Sequence, residues 1–171
     1  MSDCNKTIGF IGMGMMGGGM AANLLKADFD MVAYDIDPAR NEHFAGLGAK
    51  IANGPAGVAQ GASIVICIFE TTAQVREVVL GDGGIIEEAQ EGDIFVCNAT
   101  IDPLAVKEMH AILAGKGIKM LDAPVSGGVP RAVSGDLSII VGGDGAVVEA
   151  CRPYFDAMSA NVFHMGEIGH G

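Results

Sequence analysis

Glycines at 12, 14 and 17, an aspartate at 35 and the run Ser126-Gly127-Gly128 are the residues whose types and spacing can do chemistry in this chain. The glycines stand in G-x-G-x-x-G spacing directly after the apolar run Ile8 to Ile11. Gly12 permits a tight turn out of a strand. Gly14 lets the backbone approach a pyrophosphate with no Cβ in the way, and Gly17 lets the following helix pack closely on a sheet. The N–H groups at the start of that helix, those of Met15 and Met16 among them, then face the phosphates, where the helix dipole favours negative charge. Asp35 closes a second apolar run, Met31 to Tyr34, and can accept hydrogen bonds from an adenosine ribose. The expected dinucleotide is NAD in preference to NADP. Ile36 follows Asp35, and no arginine stands beside it to neutralise a 2′-phosphate; Arg40 is the residue able to swing back and overturn this.

Ser126-Gly127-Gly128 follows Asp122-Ala123-Pro124-Val125 at the end of an apolar run and opens a short helix. A serine hydroxyl with bare backbone N–H groups at a helix start can hold a carboxylate, by the same physics that holds a pyrophosphate. The alternative is a capped helix start with no ligand. Met13, Met15, Met16 and Met20 read as packing around the glycine turn and not as a redox or ligand cluster. The four cysteines (Cys4, Cys67, Cys97, Cys151) are widely spaced and contain no C-x-x-C. They read as free thiols with no metal and no disulfide, which suits a cytoplasmic or matrix location.

Strands alternating with helices must position these residues. Ile8 to Ile11, Met31 to Tyr34, Lys50-Ile51, Ser63 to Phe69, Asp93 to Cys97, Gly117 to Leu121, Leu137 to Val141 and Asn161 to Met165 are the expected strands. Helices are expected at Pro38 to Leu47, Pro55 to Gln60, after Thr71 or Thr72 up to Gly81, at Pro103 to Leu113 with Ala105, Met109 and Ile112 on one side, and at Gly145 to Met158. The alternation predicts one α/β domain over residues 1–171, a Rossmann-type, doubly wound and mostly parallel sheet with an antiparallel edge after Gly128. Half of the residues are hydrophobic and 18% charged, which excludes a disordered chain. The net charge of −11 argues against nucleic-acid binding. No apolar run approaches a membrane span, and no signal peptide precedes the first strand.

Four stretches together, GFIGMGMMGGGMAANLL at 9 to 25, DAPVSGG at 122 to 128, GDLSIIVGG at 135 to 143 and HMGEIGHG at 164 to 171, resemble the β-hydroxyacid dehydrogenase family. That family includes 3-hydroxyisobutyrate dehydrogenase and tartronate semialdehyde reductase, with 6-phosphogluconate dehydrogenase more distant. The resemblance covers essentially the whole chain. It implies an NAD(P)-dependent enzyme, a homo-oligomer in its full-length form, that oxidises a small 3-hydroxy acid or reduces the semialdehyde. It further implies that Ser126, Gly127 and Gly128 hold the substrate carboxylate, that Thr100 lies beside the nicotinamide and that Phe69 lies in the loop over the cofactor. Departures are Gly19 and Glu70 in place of prolines, Cys97 and Ala99 in place of aspartate and serine, and Arg131 in place of a small residue.

In the family a catalytic lysine and an asparagine follow the final glycines, beginning a helix that leads into an all-helical domain. Neither lies within residues 1–171, so no catalytic residue is assigned, and the chain is expected to be a coenzyme domain from a longer enzyme. His164 and His170 read as histidines of a mobile surface tail, and Lys26, Lys50, Lys107, Lys116 and Lys119 as solvated. An imine reductase or other reductase of the wider superfamily, and a non-catalytic NAD-binding module, are the competing readings.

Overall fold

The computed structural model describes residues 7–171; Cys4 lies outside them. The chain order is β1 (Thr7–Ile11), α1 (Met15–Lys26), β2 (Asp30–Tyr34), α2 (Pro38–Gly46), β3 (Lys50–Ile51), α3 (Pro55–Gly61), β4 (Ile64–Cys67), α4 (Thr72–Leu80), α5 (Ile85–Glu88), β5 (Ile94–Cys97) and α6 (Pro103–Ala114). It continues with β6 (Lys119–Asp122), β7 (Val125–Ser126), α7 (Gly128–Ser134), β8 (Leu137–Gly142), α8 (Gly145–Met158) and β9 (Ser159–Gly166). Six strands, ordered β3-β2-β1-β4-β5-β6, pair in parallel. Strand order reverses between β1 and β4, so the loops after these strands diverge and leave a crevice at their carboxyl ends. β8 runs antiparallel to β6 and β7, and β9 pairs in parallel with β8. The expected antiparallel edge is present, with a parallel strand outside it.

Period-two alternation sends successive side chains to opposite faces and builds two cores. Ile8, Phe10, Ile66 and Val96 face one cluster with Leu24, Phe155 and Met158. Ile11, Val65, Cys67, Phe95 and Cys97 face the other with Val75, Val79, Met109 and Leu113. Both faces of the central parallel strands are covered, which is why β4 and β5 read IVIC and IFVC, apolar throughout.

Several boundaries differ from expectation for physical reasons. Only Ile64–Cys67 of the run Ser63 to Phe69 joins the ladder, and Ile68 and Phe69 turn away into a loop. Gly117 adopts φ 73°, a turn conformation outside the strand that follows it. On α6 the buried side is Ala105, Val106, Met109 and Leu113; Ile112 is exposed, one residue off the expected face. α5 spans four residues and β7 two, too short for any periodicity to register. Gly19 is explained by packing: a Cβ there would lie 2.7 Å from the Ala132 backbone, so α1 and α7 are in main-chain contact. Buried Asn23 completes that contact, its side-chain amide donating to the Ala132 carbonyl at 2.8 Å.

Candidate coenzyme and substrate site

The turn after β1 is shaped by close backbone approach. Gly12 has φ 91°, and a Cβ on it would lie 2.4 Å from the Ile68 carbonyl oxygen. A Cβ on Gly17 would lie 1.9 Å from the Gly12 carbonyl oxygen, so only glycine fits there. Gly14 is the N-cap of α1, and no side chain caps the helix. The helical ladder begins with Gly18 N–H donating to the Gly14 carbonyl at 2.7 Å. The earlier N–H groups of the first turn, at Met15, Met16 and Gly17, are therefore available to an anion.

Asp35 is 5% exposed and is held from several sides. Its Oδ2 accepts from Met13 N–H at 2.6 Å and its Oδ1 from Asp37 N–H at 2.9 Å. Its own N–H donates to Asn41 Oδ1 at 2.9 Å, and its carbonyl accepts from Asn41 Nδ2 at 2.7 Å. Asp35 thus ties the end of β2 to the glycine turn, a structural task beyond the ribose contact expected of it. The premise that no arginine stands beside it is corrected. Arg40 Nη1 lies 3.6 Å from Asp35 Oδ2, and Arg40 Nε lies 3.5 Å from Asp37 Oδ2. One turn of α2 is enough to carry Arg40 back over the strand end.

A cleft of about 400 Å³ opens beside the glycine turn. Gly14, Met15, Met16, Gly17, Phe69 and Thr100 line it together, so six of the expected cofactor residues converge there. Ile68, Glu70, Asn98, Ala99 and Val125 complete its walls. The four methionines divide: Met13 and Met20 are buried in the core, while Met15 is 76% exposed at the cleft. The loop carrying Phe69 and Glu70 is fixed by the capping box of α4. Gln74 Oε1 accepts from Glu70 N–H at 3.2 Å and from Thr71 N–H at 3.1 Å, and Thr71 Oγ1 accepts from Gln74 N–H at 3.2 Å. Asn98 is 1% exposed; its amide donates to the Ala123 carbonyl, and its Oδ1 is buried without a partner among the described residues. A glycine cradle that a Cβ would fill, an uncapped helix start and a polar residue at the inner end of the cleft fit a dinucleotide.

Ser126, Gly127 and Gly128 do not line this cleft; they are exposed and begin one residue beyond its Val125 wall. Gly127, with φ 139°, is the N-cap of α7, and neither Ser126 nor any other side chain caps that helix. The aliphatic stem of Arg131 folds over Gly127, its Cδ 2.8 Å from where a Cβ would stand. The terminal segment is held, in contrast to the mobile tail expected. Buried Asp122 accepts from Gly169 N–H at 2.9 Å and from Gly171 N–H at 2.8 Å. His164 Nε2 lies 2.8 Å from the Gly143 carbonyl and 3.0 Å from that of Gly166, which assigns the ring to bracing the strand ends. Lys107 is not wholly solvated, since its Cε would stand 2.6 Å from a Cβ on Gly169.

Cys67 and Cys97 face each other across β4 and β5. Burial pushes the Cys67 thiol well up, and its hydrogen bond to Cys97 draws the Cys97 thiol down. Burial pushes Cys151 up to about 12. Among the described residues no group of three or more His, Cys, Asp or Glu is placed to hold a metal ion, and no helix is long and apolar enough to cross a membrane. A larger groove of about 740 Å³ lies between α6, α8 and residues 167–168 and contains none of the expected site residues.

Comparison with known proteins gives the same answer as the geometry. A family profile described as the NAD binding domain of 6-phosphogluconate dehydrogenase matches residues 7–166. The chain is 36% identical over 167 residues to a probable mitochondrial 3-hydroxyisobutyrate dehydrogenase of Dictyostelium discoideum, covering 98% of this chain and 52% of that protein. It is 38% identical over 166 residues to an NAD-dependent L-serine dehydrogenase of Pseudomonas aeruginosa, covering 97% of this chain and 56% of that protein. Among solved structures, 3-hydroxyisobutyrate dehydrogenase of Mycobacterium tuberculosis with L-serine superposes with TM-score 0.90 at 32% identity, over 96% of this chain and 56% of that one. The chain spans about half the length of the curated relatives it matches. Its likeness to the β-hydroxyacid dehydrogenases and its use of NAD are thereby established, and the chain belongs to the family of NAD-binding domains typified by that of 6-phosphogluconate dehydrogenase.

Proposed function

We propose that residues 1–171 form the coenzyme half of an NAD-dependent dehydrogenase acting on a small 3-hydroxy acid. The carrying observation is that Met15, Met16, Phe69 and Thr100 line one cleft whose Val125 wall leads directly into Ser126-Gly127-Gly128. Bound NAD would supply the hydride acceptor. The first-turn N–H groups of α1 would hold its pyrophosphate, Asp35 and the glycine turn its adenosine side, and Phe69 and Thr100 its nicotinamide side. The Ser126 hydroxyl and the backbone N–H groups of Gly127 and Gly128 hold the substrate carboxylate. This fixes the hydroxyl-bearing carbon towards the cleft and converts an encounter into a positioned reaction.

Alcohol oxidation also needs a base at the hydroxyl oxygen. His164 is committed to backbone carbonyls. We assign the base to a lysine that follows the final glycines in the longer protein, at the start of a second, helical domain. The proteins named as relatives act on 3-hydroxyisobutyrate and L-serine, both short 3-hydroxy acids, in support of that substrate class. The proposal includes a homo-oligomer and a reducing compartment, the cytoplasm or a mitochondrial matrix; the free buried thiols at 67, 97 and 151 suit a reducing compartment of either kind.

The test is a screen of the full-length protein with NAD against short 3-hydroxy acids and their 2-hydroxy isomers. Turnover confined to the 3-hydroxy acids, lost on replacing the lysine and weakened in KM by Ser126→Ala, supports the reading. Preference for 2-hydroxy acids, or an unchanged rate without the lysine, refutes it.

A further inference from the structure

Asp37, which no sequence motif singles out, stands where coenzyme choice is made. The guanidinium of Arg40 lies between two carboxylates, 3.6 Å from Asp35 and 3.5 Å from Asp37. Its Nη1 also lies 3.1 Å from where a Cβ on Gly14 would stand, so it hangs over the N-cap of α1. In a dinucleotide site this is the side on which the adenosine ribose lies, between the β2 end and the glycine turn. A guanidinium there is a ready ligand for a 2′-phosphate, with a fork of five donors. Both contacts are ion-pair contacts longer than hydrogen bonds, and Arg40 and Asp37 are 44% and 47% exposed, so the donors are not used up.

Charge decides the outcome. Asp35, Asp37 and Arg40 sum to one negative charge, and a 2′-phosphate adds close to two more at neutral pH. The two carboxylates also hold the guanidinium back against the protein. Asp35 is fixed in this role, because its carboxylate carries the Met13 and Asp37 N–H groups and cannot turn away. Asp37 is free of such ties apart from its cap to Ala39 N–H at 3.0 Å, a task that asparagine performs equally well. We propose that Asp37 is a specificity-determining positioning residue: its pairing with Arg40 restrains an arginine otherwise able to grip a 2′-phosphate, so that NAD selectivity here rests on a restrained cation and not on the lack of one. This inference rests on the coenzyme reading of the site.

The experiment is calorimetric titration of the 171-residue chain with NAD and with NADP, in wild type, Asp37→Asn, Arg40→Ala and the double variant. Asp37→Asn brings the local sum to zero and releases one side of the guanidinium. It is expected to shift the NADP-to-NAD affinity ratio towards NADP by about tenfold, which is about 1.4 kcal/mol. The double variant is expected to lose that gain, since the gain runs through Arg40. A general loosening of the loop would move both coenzymes alike and leave the ratio unchanged. An unchanged ratio in Asp37→Asn, or a gain that persists in the double variant, overturns the proposal while NAD binding leaves the coenzyme site standing. Failure of the wild-type chain to bind NAD removes the site reading, and the proposal falls with it.

Discussion

At the coenzyme end of the sheet, the β2 strand end, the glycine turn and the start of α2 are tied together by the Asp35 carboxylate, the Asn41 amide and Arg40. At the proposed substrate end, Ser126, Gly127 and Gly128 are exposed, two of them glycines with positive φ, and α7 begins without a side-chain cap. One end has its loops tied to one another before any ligand arrives, while the first-turn N–H groups of α1 and Asn98 Oδ1 stay open towards the cleft. The other offers open groups on a short helix beside the edge strands. A preorganised binder loses little freedom when its ligand docks, whereas an open loop must be ordered by the ligand or by whatever else packs upon it. Under the proposed function, the tied end captures the coenzyme and the open end becomes ordered only as the substrate docks.

The change expected to break the contrast most severely is Gly17→Ala. Its Cβ meets the Gly12 carbonyl oxygen at 1.9 Å, a backbone atom that cannot step aside. The helix must retreat from the turn, costing upwards of about 3 kcal/mol by analogy with severe overpacking and abolishing NAD binding. Thermal unfolding and calorimetric titration with NAD check this. Next is Asp35→Ala, which strips the Met13 and Asp37 N–H groups of their acceptor. A buried N–H left unsatisfied costs about 1–3 kcal/mol, and denaturant titration should show a loss in that range together with weaker NAD binding.

Gly127→Ala sharpens the comparison from the other end. The new Cβ collides with the flexible stem of Arg131 at a φ of 139° that alanine rarely adopts. Destabilisation of about 1–3 kcal/mol is expected from the strain, with NAD affinity unchanged because the cleft does not include this residue. A large fall in NAD affinity would show that the two ends are coupled.

At neutral pH the smallest effect belongs to Cys151, whose thiol burial pushes up to about 12 from an ordinary value of 9.0. Between those values the unfolded thiol has lost its proton and the folded one has kept it. Stability linked to Cys151 is therefore full below pH 9 and declines as pH rises towards 12. Melting temperatures across that interval should fall less steeply in Cys151→Ala than in the wild type.

The coenzyme end was legible because its constraints are local. Strand, three glycines, helix, second strand and acid lie within one continuous stretch, and each element is long enough to show its period. What stayed hidden depends on contacts distant in sequence or on single polar atoms. Asp122 binds residues 47 and 49 positions away through its carboxylate, and Asn23 reaches across to Ala132. Arg40 was visible as a cation in range, yet its pairing with Asp37 depends on where α2 begins. Asn41 carried one signal that could have been used: an amide six residues after a strand-terminal acid, just past a proline that starts a helix. Ile112 shows the limit of helical periodicity, since two neighbouring faces of α6 are both apolar and packing against the sheet chose between them.

Amide hydrogen exchange of the 171-residue chain with and without NAD tests the central claim most directly, that the coenzyme site is complete within this chain while the substrate site is open. NAD is expected to protect the amides of residues 14–17, 68–70 and 98–100 and to leave those of 126–128 exchanging as before. Protection of 126–128 without protection of the glycine turn, or no protection anywhere at saturating NAD, would contradict it.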